Sequence, residues 1–403
     1  MFVKKIILIG LITLINLTLN AQIRLSENAQ ISLLTCSPSD EAVYTVYGHT
    51  SIRVRDTIPI DSVQNRVIDT VFNYGIFDFS KPNFIYRFAK GETDYMLLAY
   101  DFEHFLADYQ MRGSEVYEQV LNLTHDEKNE LWQALIMNVQ PENRVYRYSF
   151  FYDNCSTRPA VLIKNVIKGT IAFSDHLKPR TFREMINYCT RNHPWITFGC
   201  DIIIGCPADH LTTKEESFFI PEYLKNEYAQ AWIIRPDGSK QKLILEEHIL
   251  AEESVDTENT ETSFFTPFIC SLLFFFVILS LTLFEWQKKK YYRWLDCLLF
   301  FIAGVAGCIV FFLSFISVHP GTWPNISLVW LHPAHLIGTV LFAVKKLKKA
   351  AYYYHFINFV ALLLVLPVWD FIPQHLNIAC IPLIASLLIR SGYCLIRKKL
   401  NIG

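Results

Sequence analysis

Five apolar runs in the C-terminal third constrain this chain more than any other feature. They cover about residues 266–285, 295–318, 326–344, 354–369 and 376–396. Each is near the roughly 20 residues that a helix needs to cross a bilayer, although the fourth is short. Lys288, Lys289, Lys290 and Arg293 follow the first run; Lys345, Lys346, Lys348 and Lys349 follow the third; Arg397, Lys398 and Lys399 follow the fifth. The loops after the second and fourth contain no Lys or Arg. Basic loops stay in the cytoplasm. Five spans with an exported N-terminal part satisfy that rule at every loop and put the C-terminus in the cytoplasm. An all-α membrane domain over residues 264–403 is therefore expected.

The charge balance separates this domain from what precedes it. Residues 264–403 hold 12 Lys+Arg and 3 Asp+Glu, whereas the first 263 residues hold 25 and 35, a net of −10. A surface this acidic argues against nucleic-acid binding, which needs a basic patch. Residues 1–21 read as a secretory signal: Lys4 and Lys5 start it, Ile6 to Leu19 is apolar, and Leu19-Asn20-Ala21 offers a small residue for cleavage. An uncleaved signal anchor is the alternative. Export makes the cysteines informative. Cys36, Cys155, Cys189, Cys200 and Cys206 are an odd number in an oxidising compartment, which leaves at least one thiol free. Cys155 free, with two bridges among the other four, is the pairing that suits a nucleophile. Five reduced, buried thiols are the alternative.

Residues 22–245 read as one mixed α+β domain, followed by an acidic, Ser/Thr-rich linker over 246–263. Strands are expected at Ile31 to Cys36, Val43 to Val54, Asp69 to Phe79, Tyr95 to Tyr100 and Val116 to Leu123. Helices are expected at Phe84 to Lys90, Phe102 to Met111, Pro159 to Lys168 and Thr181 to Arg191. Another opens at Thr124, where Thr124-His125-Asp126-Glu127 matches a capping box.

The chemistry centres on Asp153-Asn154-Cys155-Ser156-Thr157-Arg158. An aromatic run, Val145 to Tyr152, leads in and a helix-competent run leads out. A cysteine near a helix N-terminus meets a partial positive charge and free backbone N–H groups, which favour a thiolate and can hold an oxyanion. The thiol needs a base, and histidine titrates near neutrality. Of the seven histidines before the linker region ends, His49 stands apart, because it begins the strand segment Thr50 to Val54 after a glycine. The next strand supplies two groups that could orient it, Asn73 and Asp78. Asn154 is a candidate helix cap, and Arg158 is a candidate phosphate or carboxylate ligand or a surface ion pair. Tyr47 and Tyr152 read as core aromatics. His332 and His335 lie three apart and lack further metal-ligating partners, so no metal is expected; no cofactor is expected either.

Histidine on an early strand followed by cysteine on a later helix is papain's order reversed. The chain resembles the circularly permuted branch of the NlpC-type papain-like superfamily, which includes the lecithin:retinol acyltransferases. More closely it is similar to the Lnb family of lipoprotein N-acyltransferases. The residues carrying the resemblance are Tyr47-Gly48-His49-Thr50, Asn73-Tyr74-Gly75-Ile76-Phe77, Gly91-Glu92-Thr93-Asp94-Tyr95 and the Asn154-Cys155 segment. It extends through the five spans and Asn325 to His335. It implies a permuted papain-like periplasmic domain on a five-helix inner-membrane anchor. It also implies a Cys155 nucleophile with His49 as base, Asn73 as the group that orients the histidine with Asp78 as runner-up (amides often fill that role in papain-like sites), a phospholipid acyl donor and a diacylated lipoprotein acceptor. Three other functions share these features: a membrane-tethered cell-wall peptidase or amidase, a phospholipase, and a non-catalytic membrane binding protein.

Overall fold

The computed structural model describes residues 24–59, 65–174, 178–253 and 264–399. The expected signal segment and most of the expected linker lie outside these residues. The described chain forms two compact units. One contains the residues up to Arg180 and those from Leu211 to 253; the other contains Thr181–His210 and the residues from 264 onward.

The first unit is built on seven antiparallel strands: β1 (Gln30–Cys36), β2 (His49–Pro59), β3 (Asn65–Ile76), β4 (Asp94–Asp101), β5 (Val116–Leu121), β6 (Val145–Arg147) and β10 (Ile244–Ala251). They lie in the order β10-β5-β1-β2-β3-β4-β6. Side chains alternate across a strand, and here both faces are covered. On one face Ile31, Leu33, Ile52, Val54 and Phe72 pack with Leu131, Trp132 and Ile163. These last three belong to α3 (His125–Asn138) and α4 (Thr157–Val166), which follow α1 (Phe84–Lys90) and α2 (Phe102–Met111). On the other face Leu34, Cys36 and Val71 pack with Phe102, Phe105 and Tyr109 of α2. A small sheet, β7 (Thr170–Ala172), β8 (Trp232–Ile234) and β9 (Lys240–Lys242), completes the unit.

Two expectations change here. The strand expected over Val43 to Val54 starts only at His49, because Thr45–Tyr47 forms a 3-10 turn and Gly48 follows at φ 75°. A Cβ on Gly48 would lie 2.7 Å from the Cys36 carbonyl oxygen, so the chain turns there on a residue without a side chain. The expected linker begins too early: residues 246–251 are part of β10, paired with β5 through Glu247↔Gln119 and Ile249↔Tyr117. β10 is an edge strand with an exposed middle, which is why its composition reads as solvated.

In the second unit, five helical segments are long and apolar enough to cross a membrane. After α5 (Phe182–Cys189) and α6 (Pro194–Ile203), and two short helices in the first unit, α7 (Lys214–Ser217) and α8 (Pro221–Gln230), they are built from α9 (Pro267–Lys288), α10 (Arg293–Phe315), α11 (Ala334–Ala343), α12 (Lys348–Val365) and α13 (Cys380–Lys399). The third span is interrupted: Ile326–Val329 is a 3-10 turn, and α11 starts only after Pro333. His335 is buried there, with its ring nitrogens hydrogen-bonded to the Trp330 carbonyl (2.9 Å) and the Tyr354 hydroxyl (2.8 Å).

The segment Thr181–His210 packs with the membrane helices, although the sequence reading placed it within a 22–245 domain. Its anchors are polar. The buried Arg183 guanidinium binds Asp209 (2.8 Å) and Asp201 (3.2 Å). Asn325 donates to the Ile202 carbonyl (2.9 Å), Gln374 to the Ile204 carbonyl (3.0 Å) and Asn377 to Asp201 Oδ2 (2.9 Å). These partners come from the two loops that lack Lys and Arg.

A second polar cluster joins four spans. Arg390 of α13 is buried against Asp296 of α10 (2.7 Å) and Glu285 of α9 (2.8 Å), with His355 of α12 3.9 Å from Asp296. Removing one member of a buried ion cluster strands the others and costs about 3–5 kcal/mol. Arg390→Leu is therefore expected to lower the melting temperature of the detergent-solubilised protein sharply. The triple change Arg390→Leu, Glu285→Gln, Asp296→Asn should recover most of the loss in the same melting assay.

Candidate active site

Cys155 lies in the turn that leads into α4, and Asn154 holds that turn. The Asn154 side chain is buried and uses all its hydrogen-bonding capacity. Its Oδ1 accepts from the Ser156 and Thr157 N–H groups (2.8 and 2.9 Å), and its Nδ2 donates to the Phe150 and Phe219 carbonyls (2.9 and 2.8 Å). Its backbone N–H donates to Thr157 Oγ1 (2.8 Å). Asn154 thus caps the helix from the position before Cys155. Two of the N–H groups expected to serve an oxyanion are already occupied by this cap. What supports the sulfur instead is the backbone of Thr50 and of Cys155 itself.

His49 is the first residue of β2, and Asn73 lies near the end of β3. The His49 Nε2–H donates to Asn73 Oδ1 (2.6 Å), while Asn73 Nδ2 donates to the Tyr100 hydroxyl (2.6 Å). The Tyr100 hydroxyl can donate or accept and so accommodates this amide orientation. With Nε2–H donating to Oδ1, Nδ1 is the nitrogen left to take a proton. Tyr109 stacks on the ring, with centroids 6.3 Å apart and planes 16° from parallel.

Gly75 brings Cys155 and His49 together. It has φ +89°, and the β3–β4 register shifts between Asn73 and Ile76. A Cβ placed on Gly75 would stand 3.2 Å from Cys155 Cβ and 3.9 Å from His49 Cε1. The thiol and the imidazole therefore flank one point where the sheet carries no side chain.

The electrostatics differ from the expected thiolate. Burial pushes the Cys155 thiol up to about 11, against support from the Thr50 backbone and its own. Burial also pulls His49 down to about 4; the Asn73 hydrogen bond opposes this, and the Arg112 charge adds to it. At neutral pH the pair rests as thiol and neutral imidazole, because the enclosure penalises charge on either group more than the helix terminus rewards it.

The remaining expected residues fall as follows. Asp78 is exposed and accepts from Ser80 Oγ (2.7 Å) and the Ser80 N–H (2.9 Å), so its carboxylate closes a local turn rather than facing His49. Arg158 makes a two-pronged ion pair with Asp153 (2.5 and 2.8 Å) and lies over the Tyr146 ring at 3.5 Å. Its charge is answered within the chain. Tyr152, expected in the core, is 51% exposed. All five N-terminal cysteines are free, so the two expected bridges are absent. Cys36 is buried in the sheet beside Tyr109, whereas Cys189, Cys200 and Cys206 belong to the other unit. Tyr100 and Phe219 were not singled out from the sequence. A strand tyrosine and a loop carbonyl carry no motif that would announce them. Gly75 did carry a signal, because a glycine inside a strand marks a bulge or a close approach.

Gly75→Ala is expected to keep the fold but to cost about 1–2 kcal/mol for the positive φ. The added methyl also pushes against Cys155. Modification of Cys155 by an acylating reagent, followed by mass spectrometry of the Cys155 peptide, should fall at least about tenfold in rate from that misplacement.

Comparison with known families agrees with this architecture. Residues 20–188 match the Lnb N-terminal periplasmic domain, and residues 259–400 match the Lnb transmembrane domain. No match to the chain was found among the curated proteins or the solved structures. The two matched domains occur in order and together take in both the His49–Cys155 region and all five spans, so the chain belongs to the Lnb family.

Proposed function

We propose that this protein is a thiol acyltransferase. It moves an acyl chain from a phospholipid, through a Cys155 thioester, to the N-terminal amine of a diacylglyceryl lipoprotein. The observation that carries the reading is the grouping of Cys155, His49 and Asn73 around Gly75, in a chain that also bears five membrane helices. Both substrates would then lie in the extracytoplasmic leaflet of the inner membrane, with the C-terminus in the cytoplasm.

In the first half-reaction His49 Nδ1 takes the Cys155 proton as the sulfur attacks the ester carbonyl. The C–S bond forms, the ester C–O bond breaks, and His49 returns the proton to the departing lysophospholipid oxygen. In the second half the lipoprotein amine attacks the thioester. The C–N bond forms, the C–S bond breaks, the amine's proton passes through His49, and Cys155 ends as a thiol. Asn73 holds the imidazole at a fixed angle throughout. A neutral starting pair suits this course, since no charge has to be created in the enclosure before the acyl group is in place.

In a strain lacking the gene, lipoprotein N-termini are expected to lose one acyl chain by mass spectrometry. Wild type should restore it, and Cys155→Ala or His49→Ala should not. Unchanged lipoproteins would falsify the reading, and free fatty acid in place of acylated lipoprotein would mark a phospholipase. The pH dependence follows from the two shifts. His49 accepts a proton only above its value of about 4, and Cys155 ionises on its own only near about 11. Acylation of Cys155 should therefore fall as pH drops through about 4 and stay level from there across neutrality. Alkylation of the free enzyme at Cys155 should remain slow at pH 7. Asn73→Ala should slow acylation about 10²-fold by freeing the base.

A further inference from the structure

Helix α1 has the sequence Phe84-Ile85-Tyr86-Arg87-Phe88-Ala89-Lys90, and none of its residues is buried. Ile85 is 83% exposed, and Tyr86 and Phe88 are exposed beside it. Before the helix, Phe79 is exposed as well. A contiguous apolar patch of this kind on a folded surface marks a binding face. The patch is also continuous with the candidate active site. Phe79 and Phe84 pack on Phe77 (4.6 and 5.9 Å), Phe77 packs on Tyr95 (4.9 Å), and Tyr95 stacks on Tyr148 (4.0 Å). Tyr95 belongs to the buried cluster against which Phe77, Tyr148 and Cys155 all pack. Ring packs on ring from the surface inward to the surroundings of the thiol.

We propose that α1 and the aromatic loop before it dip into the extracytoplasmic lipid leaflet and contact phospholipid acyl chains there. Three observations favour lipid over a protein partner. The chain carries five helices suited to a bilayer and passes between its two units three times, so a lipid surface is always at hand. The patch is almost wholly aromatic and aliphatic, the composition of an interfacial helix that buries one face in the headgroup and acyl boundary. The cations of α1 itself are neutralised locally: Arg87 pairs with Asp94 (3.2 Å) and Lys90 with Glu92 (2.7 Å), so shallow insertion of the helix carries neither of them unpaired into lipid. That the contacted chain is the one passed to Cys155 rests on the acyltransferase reading.

The full-length protein in nanodiscs of phosphatidylethanolamine and phosphatidylglycerol provides the test. A benzophenone amino acid is placed at Ile85 and, for comparison, at the exposed Met137 of α3. Irradiation should give lipid adducts at position 85 at several times the yield at 137. Equal yields, or adducts to protein alone, would overturn the proposal. A second arm uses Ile85→Asp with Phe88→Asp. Thioester formation at Cys155 from nanodisc phospholipid should fall more than about tenfold, because acidic side chains resist entry into lipid. Reaction of Cys155 with a water-soluble short-chain ester should be unchanged; an equal fall with both donors would count against lipid docking. If wild type forms no thioester with either donor, the acyltransferase reading fails, and the cross-linking yields still decide whether α1 meets lipid.

Discussion

The candidate site depends on a missing side chain. His49 and Asn73 project from the sheet face covered by α2, whereas Cys155 packs against the core of the opposite face. A sheet normally keeps its two faces apart. At Gly75 it does not, because the strand bulges there and leaves room within van der Waals range of both groups. The other features follow from the need to hold that approach. Asn154 spends every hydrogen bond it has on the turn that presents the thiol, and Tyr100 spends its hydroxyl on the amide that presents the imidazole. Each supporting residue is buried or strand-borne, which is what a site held to a fraction of an ångström requires.

Enclosure sets the chemistry as firmly as geometry does. Burial of Cys155 raises its thiol pKa and outweighs the support of the Thr50 backbone and its own, which favour the ionised form. A neutral buried thiol is a poor target for oxidants, whereas an exposed thiolate is a good one. Cys36 is a buried core residue of one unit, whereas Cys189, Cys200 and Cys206 are half-buried in the other, and none of them is bridged.

Much of this was legible in the sequence, for identifiable reasons. The helices at Phe84–Lys90 and Phe102–Met111 have the bounds expected, because Gly91 and Gly113 stop them after clear apolar runs. The capping box at Thr124 is present as read. The papain-like resemblance favours Asn73 over Asp78 beside His49, and Asn73 lies against His49. The failures share a cause: composition reports solvent exposure, not backbone pairing. Residues 246–251 look like a linker because their side chains face water, yet their backbone pairs with β5. Thr181–His210 looks like part of the preceding domain because it lies before the acidic linker in sequence. Its Arg183 and Asp201 are buried, paired with Asp209 and with a span loop.

That last misreading changes what the membrane unit is. A passive anchor would need only apolar helices, since lipid tails solvate leucine as well as protein does. This unit instead buries Arg390 with two carboxylates, breaks its third span at buried His335, and binds an outside segment through Asn325, Gln374 and Asn377. Polar groups inside a membrane domain are expensive unless paired, and each pairing fixes one helix or loop against another. The cost is repaid as rigidity: helices joined by buried ion pairs cannot slide or rotate independently. A unit locked in this way holds Thr181–His210 in a defined place, and that segment is covalently continuous with the α/β unit at both of its ends. The α/β unit that carries Cys155 is therefore joined to the membrane unit at both ends of Thr181–His210, a structured segment, as well as ahead of α9.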